Sequence, residues 1–152
     1  MRLDYTEFSF GYAFTENLIR SSPKAPNGAP VFPNLVQEAT LGYDVNINLP
    51  GLPFFFQYKL PELMKRNTAA EISTHKLSNL SIPFFRMSLM RRDLSQQHQR
   101  LIEWEKKFPG TVLYATPCLH SLEEFNLEYE NSVREDSLSS FVQLSIDCNF
   151  AL

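Results

Sequence analysis

Three polar side chains stand in an otherwise apolar run, GYDVNINLPGLPFFFQYKLPE over residues 42 to 62: Asp44, Gln57 and Lys59. Asp44 offers a hard carboxylate oxygen, Gln57 a neutral amide and Lys59 an ammonium. In-line attack of water on a phosphodiester uses groups of these types. A divalent cation on hard oxygens polarises the phosphoryl oxygen and acidifies the water, and a fixed positive charge meets the negative charge that develops. Magnesium keeps several of its waters, so one carboxylate and a carbonyl suffice to hold it. The plainer alternative is the solvated edge of a hairpin.

The flanking pattern says which elements would carry these groups. LGYDVNINL alternates, with Tyr43, Val45, Ile47 and Leu49 on one side and Asp44, Asn46 and Asn48 on the other, and it predicts a strand. PGLP supplies turn residues, and FFFQYKL is a short apolar strand bounded by Pro53 and Pro61. Side chains alternate along a strand, so Gln57 and Lys59 share a face. Two adjoining strands would bring Asp44 to them.

Elsewhere, TENLIRSS predicts a short helix opened by Thr15, and the four prolines of residues 21–34 predict an exposed loop. Residues 62–81 read as a loop with a helical turn, and IPFFRMSLM, residues 82–90, as an aromatic strand. DLSQQHQRLIEWEKKFPG is the clearest helix. Ser95 caps it, Leu94, Gln97, Leu101, Trp104 and Phe108 recur at helical spacing, and Pro109 with Gly110 ends it. TVLYATP predicts a strand, SLEEFNLEYENSV a helix with an acidic first turn, and SSFVQLSI a last strand. The order α, β, β, β, α, β, then α, β predicts one α/β (α+β) domain over residues 1–152.

A chain of 152 residues with 43% hydrophobic and 20% charged residues is globular rather than disordered. It has no run of 18 apolar residues, and MRLDYTEFSF is not a signal peptide, so a soluble, cytoplasmic protein without a membrane partner is expected. Cys118 and Cys148 form no CxxC and are expected to be buried free thiols. GxSxG and GxGxxG are absent, which argues against a nucleophile-elbow hydrolase and a dinucleotide fold. The net charge is −3, yet residues 57–107 hold ten Lys and Arg against five Asp and Glu. In that zone Arg86, Arg91, Arg92, Gln97 and His98 gather near the start of the long helix and are candidates for binding nucleic-acid phosphates. A solvated helix face and a half-buried structural histidine are the plain alternatives.

The element order, with Asp opening the first strand and Gln-x-Lys on the next, resembles the PD-(D/E)XK (restriction endonuclease-like) nuclease superfamily in its Gln-x-Lys form, over residues 12–116. The resemblance implies an αβββαβ core, a mixed sheet with an antiparallel meander flanked by helices. It implies Asp44, Gln57, Lys59 and Glu38 as catalytic residues, and Mg²⁺ or Mn²⁺ held by Asp44, Gln57, Glu38 and Glu16, since the family commonly adds a Glu from the first helix or nearby. DNA would be the substrate, in restriction, repair or defence, with a homodimer or a partner protein. Tyr43 stands where the family name has Pro. Gln57 replaces a carboxylate and removes one negative charge from a metal cage, so a second expectation is a non-catalytic protein of this fold that binds a protein partner or nucleic acid.

Overall fold

In the computed structural model, which describes residues 3–75, 80–89, 95–135 and 143–145, the Asp44 stretch is a hairpin. β1 (Val45–Leu49) pairs antiparallel with β2 (Leu52–Tyr58) through a tight turn in which Gly51 takes φ 99°, a left-handed value that suits glycine. β2 pairs parallel with β5 (Val112–Ala115), and β5 antiparallel with β6 (Gln143–Ser145), giving the order β1-β2-β5-β6. On the outer edge of β1, Val31 and Asn46 exchange two backbone hydrogen bonds of 2.9 Å, and Asn27 N donates to Asn48 O at 2.8 Å. The chain thus makes three antiparallel passes, 27–31, β1 and β2, and then crosses through α4 (Gln96–Lys107) to β5. The molecule is of the α/β class, as its pattern predicts.

The expected third strand joins another sheet. Both edges of β2 are occupied, by β1 and β5, so residues 82–90 find no ladder there. Part of that run, β4 (Phe84–Arg86), pairs antiparallel with β3 (Glu62–Met64) in a separate two-stranded sheet, with the short α3 (Ala70–Ser73) between them. A backbone bridge at Val31, inside the stretch read as a loop, extends the outer edge of β1. A further helix, α2 (Leu35–Leu41), precedes Asp44; Asn34 and Gln37 cap it reciprocally, and Gly42 ends it at φ 83°.

Helix α1 (Glu7–Ser21) begins eight residues before the expected start. The Thr6 side chain accepts from Ser9 N at 3.1 Å, so Thr6, not Thr15, is the cap. Phe10, Ala13, Phe14 and Asn17 form its buried face. Thr15 lies inside the helix and its hydroxyl is 2.6 Å from that of Tyr58. One face of the sheet packs Val45, Ile47, Phe56, Tyr58, Leu113 and Ala115 against α1 and Phe125 of α5 (Leu122–Glu135). The other packs Phe55, Val112 and Tyr114 against Leu101 and Trp104 of α4. Strand β2 is therefore covered on both faces, which is why it reads as a continuous apolar run. Cys118 is an exposed free thiol, contrary to the expected burial, and Cys148 lies outside the described residues. No described helix is long and apolar enough to cross a membrane.

Close approach of α1 to the sheet depends on Gly11. A Cβ there would lie 2.6 Å from the Tyr58 ring, whereas one at Gly28 would meet nothing within 4 Å. Gly11→Ala is expected to lower stability by about 1–3 kcal/mol, read as a lower urea midpoint at unchanged m-value. Gly28→Ala serves as the control; equal midpoints for the two variants would show that the α1 contact is not tight.

Candidate functional site

Asp44 sits one step before β1 and opposite Gln57, continuing the register in which Val45 faces Phe56. Its Oδ2 accepts from Tyr58 N at 2.6 Å and from Gln57 Nε2 at 2.7 Å. Oδ1 accepts no hydrogen bond among the described residues. Gln57, 1% exposed, turns its Oε1 to Gln97 Nε2 of α4 at 2.8 Å. Tyr114 stands beside Gln57 on β5, with its hydroxyl 2.9 Å from His98 Nδ1. The polar row Asp44, Gln57, Tyr114 crosses the sheet at the carboxyl ends of the parallel pair β2 and β5, where α/β sheets place ligand sites. The first turn of α4 covers it with Gln97 and His98.

Charge is concentrated around the Asp44 carboxyl. Burial pushes it up to about 7, the Tyr58 N–H bond pulls it down, and like charge on Glu38 and Glu7 pushes it up again, with Lys59 opposing. Glu7, in the first turn of α1, is raised mainly by burial; Lys59 and the Leu60 backbone lower it, and Glu38 raises it further. Asp44, Glu7, Glu38 and Lys59 are thus near enough to act on one another. Tyr114 is raised to about 12, first by burial and then by the Asp44 charge.

The structure brings Gln57 onto Asp44, with Lys59 and Glu38 near enough to act on that carboxyl. It adds Glu7, which pattern reading passed over, while Gln97, expected at a phosphate, joins the site through Gln57. Glu16 belongs elsewhere: it pairs with Arg20 at 3.7 Å and accepts from the Tyr129 hydroxyl of α5. Arg86 is held between Glu62 and Glu71, on β3 and α3. His98 stacks on Tyr114 with rings 14° apart, in the structural role its apolar stripe allowed. Gln97 faces into the fold toward Gln57 rather than outward to a phosphate. Arg91 and Arg92 lie outside the described residues. Glu38 is on α2, the helix that leads into Asp44 and β1. A Thr-initiated helix at residue 15 hid Glu7. Its available signal was Thr6 three residues before Ser9, a side-chain cap at the true helix start.

Among the described residues, no three Asp, Glu, His or Cys side chains form a group that could hold a metal ion. The hard oxygen of Asp44 Oδ1 is of the type magnesium takes when it keeps most of its waters, and the charges of Glu7 and Glu38 act on the same carboxyl. Gln57 does not fit as a ligand in its present orientation, because its amide oxygen is engaged by Gln97. Comparisons with protein-family models, curated proteins and solved structures find no match for the chain.

The raised Asp44 carboxyl makes a signed statement about stability. Folded, it titrates at about 7, against 3.8 for an ordinary aspartate. Its contribution favours the folded state below the ordinary value and is lost as the pH rises through about 7, because the unfolded chain gives up that proton first. In metal-free protein the urea midpoint should fall between about pH 5 and about pH 8. Asp44→Asn is expected to flatten that fall; parallel curves for the two proteins would remove Asp44 as its source.

Proposed function

We propose that the protein is a metal-dependent nuclease that hydrolyses DNA phosphodiester bonds. The observation that carries this reading is the cross-strand pairing of Asp44 with Gln57, with Lys59 beside them and Glu7 and Glu38 acting on the same carboxylate, at the carboxyl edge of β2. The path of the chain supports it: α1, the hairpin of β1 and β2 with a backbone bridge from Val31 on its outer edge, then α4 and parallel β5 run in the sense of the αβββαβ order that the motif implies. Helix α2 lies between Val31 and β1, and β3, α3 and β4 lie between β2 and α4. In that order the Glu of the first helix is Glu7.

Asp44 would hold the cation through Oδ1, the oxygen its hydrogen bonds leave open, and Glu7 and Glu38 would add negative charge beside it. Bound magnesium or manganese would polarise the phosphoryl oxygen and lower the pKa of the attacking water. Lys59 would contribute an ammonium toward the charge that develops on the phosphate. Tyr58 N and Gln57 hold Asp44 in place by its other oxygen. Gln57 and Tyr58 are themselves buried, which strengthens the two hydrogen bonds that hold Asp44.

Plasmid and single-stranded DNA incubated with the purified protein should be cut in Mg²⁺ or Mn²⁺ and left intact in EDTA. Lys59→Ala and Asp44→Ala are each expected to lower the rate by about a hundredfold or more. Cleavage equal to wild type by both variants would end the nuclease reading. Metal-independent DNA or protein binding without any cleavage would leave the non-catalytic alternative in its place.

A further inference from the structure

Gln57 occupies the position where the motif would otherwise place a carboxylate, and its amide is used on both sides. Nε2 donates to Asp44 Oδ2 at 2.7 Å, and Oε1 accepts from Gln97 Nε2 at 2.8 Å. The direction of this chain is dictated by its ends. Asp44 Oδ2 already accepts from the Tyr58 N–H, and as an acceptor it draws the NH₂ end of the amide. The carbonyl left on the other side, within a residue 1% exposed, then needs a donor. Gln97 supplies it from the first turn of α4.

The reverse orientation is disfavoured at both contacts. With Oε1 turned to the ion side, the Gln57 NH₂ would face the NH₂ of Gln97, donor against donor, and its carbonyl would face the Asp44 carboxylate, acceptor against acceptor. Gln57 could serve as a metal ligand only if both amides turned over together. Gly42 holds the two helices close at this point: a Cβ there would lie 2.8 Å from the backbone oxygen of Gln97 and 2.8 Å from Arg100 Cβ. The backbone that carries Gln97 is thereby fixed against the end of α2.

We infer that Gln97 is a positioning residue that locks Gln57 as a hydrogen-bond donor to Asp44, so that Gln57 is not a metal ligand and Asp44 presents Oδ1 alone to the cation. This rests on the nuclease reading for the identity of the site and deepens it. The missing second carboxylate is replaced by a device that aims the first one.

The test uses the full chain and the side-chain amide signals of Gln57 in nitrogen-15 NMR, assigned by their loss in Gln57→Leu. In wild type one Gln57 amide proton should lie downfield and exchange slowly, and it should stay there when Mg²⁺ alone is added. Gln97→Lys, which can only donate, should preserve that signal. Gln97→Glu, which can only accept, should abolish it, and so should Gln97→Leu if the Glu variant does not fold. A role in packing alone would not separate Lys from Glu. In the cleavage assay Gln97→Glu should lose about tenfold or more while Gln97→Lys stays within about threefold of wild type. An unchanged Gln57 signal in Gln97→Glu and Gln97→Leu, or its collapse when Mg²⁺ binds, overturns the inference. If the NMR pattern is as expected but wild type cuts no DNA, the nuclease reading fails and the assigned direction of the amide chain stands.

Discussion

A carboxylate at the end of a sheet, enclosed by helices, must be satisfied by nearby donors or be expelled to water, and Asp44 is satisfied by the strand beside it. The Tyr58 N–H reaches it at 2.6 Å and the Gln57 amide at 2.7 Å. Both donors come from successive residues of β2, so the carboxylate also stops the hairpin ladder at a defined place. The opposition is as local as the support. Burial and two other carboxylates, Glu38 and Glu7, favour its neutral form. Such an arrangement favours the arrival of positive charge, because a cation would relieve the repulsion while leaving both N–H bonds intact.

β2 makes this possible by being the middle of everything. Its odd and even residues face different helices: Phe56 and Tyr58 meet α1, while Phe55 and Gln57 meet α4. Each helix is drawn to the sheet by aromatic packing, and each then contributes one polar residue near the same end. Phe14 lies edge-on to Phe56 at 5.0 Å, and one helical face carries Glu7 to the neighbourhood of Lys59. Trp104 stacks on Phe55 at 4.8 Å and donates to Leu41 O at 3.0 Å, tying α4 to both the sheet and α2. Gly11 and Gly42 stand where helix and neighbour come closest. The apolar contacts therefore set the distances of the polar ones.

The hairpin was legible because a strand pair with one turn is a local object. Alternation placed Val45 and Ile47 inward, and the run around Gln57 was apolar enough to be a central strand. Helix α4 was legible for the same reason, since its cap, stripe and stop all lie within its own sequence. What was not legible depended on choices between distant partners. Which segment completes the meander is decided by the two edges of β2, and neither is visible in residues 82–90. The first half of helix α1 is hard to read because its aromatics Phe8, Phe10, Tyr12 and Phe14 recur every second residue. In the fold, Phe10 and Phe14 point inward four apart while Phe8 and Tyr12 are exposed. Losing that first half of the helix is what put Glu16 in place of Glu7 as the candidate carboxylate. Glu38 was found because proximity in sequence to Asp44 happens to coincide with proximity in space.

Charge counting along the chain overstated the cations that face a phosphate. Arg86 is committed to Glu62 and Glu71, and Arg100 to Glu103 at 3.0 Å. Next to the site, a groove of about 770 Å³ is lined by Asp4, Glu7 and Glu62 among others. Lys59 thus stands among more carboxylates than it can balance. In the nuclease reading this fixes an order of events. A polyanion that approached Asp44, Glu7 and Glu38 with only Lys59 in attendance would be repelled, and at short range in a partly buried site that repulsion is weakly screened by salt. A divalent cation on Asp44 would offset the carboxylate charge that Lys59 leaves unbalanced before any phosphate arrives. In that reading the metal would be a condition of substrate approach as well as of chemistry, and DNA binding would turn on the one-carboxylate shell that Gln57 leaves.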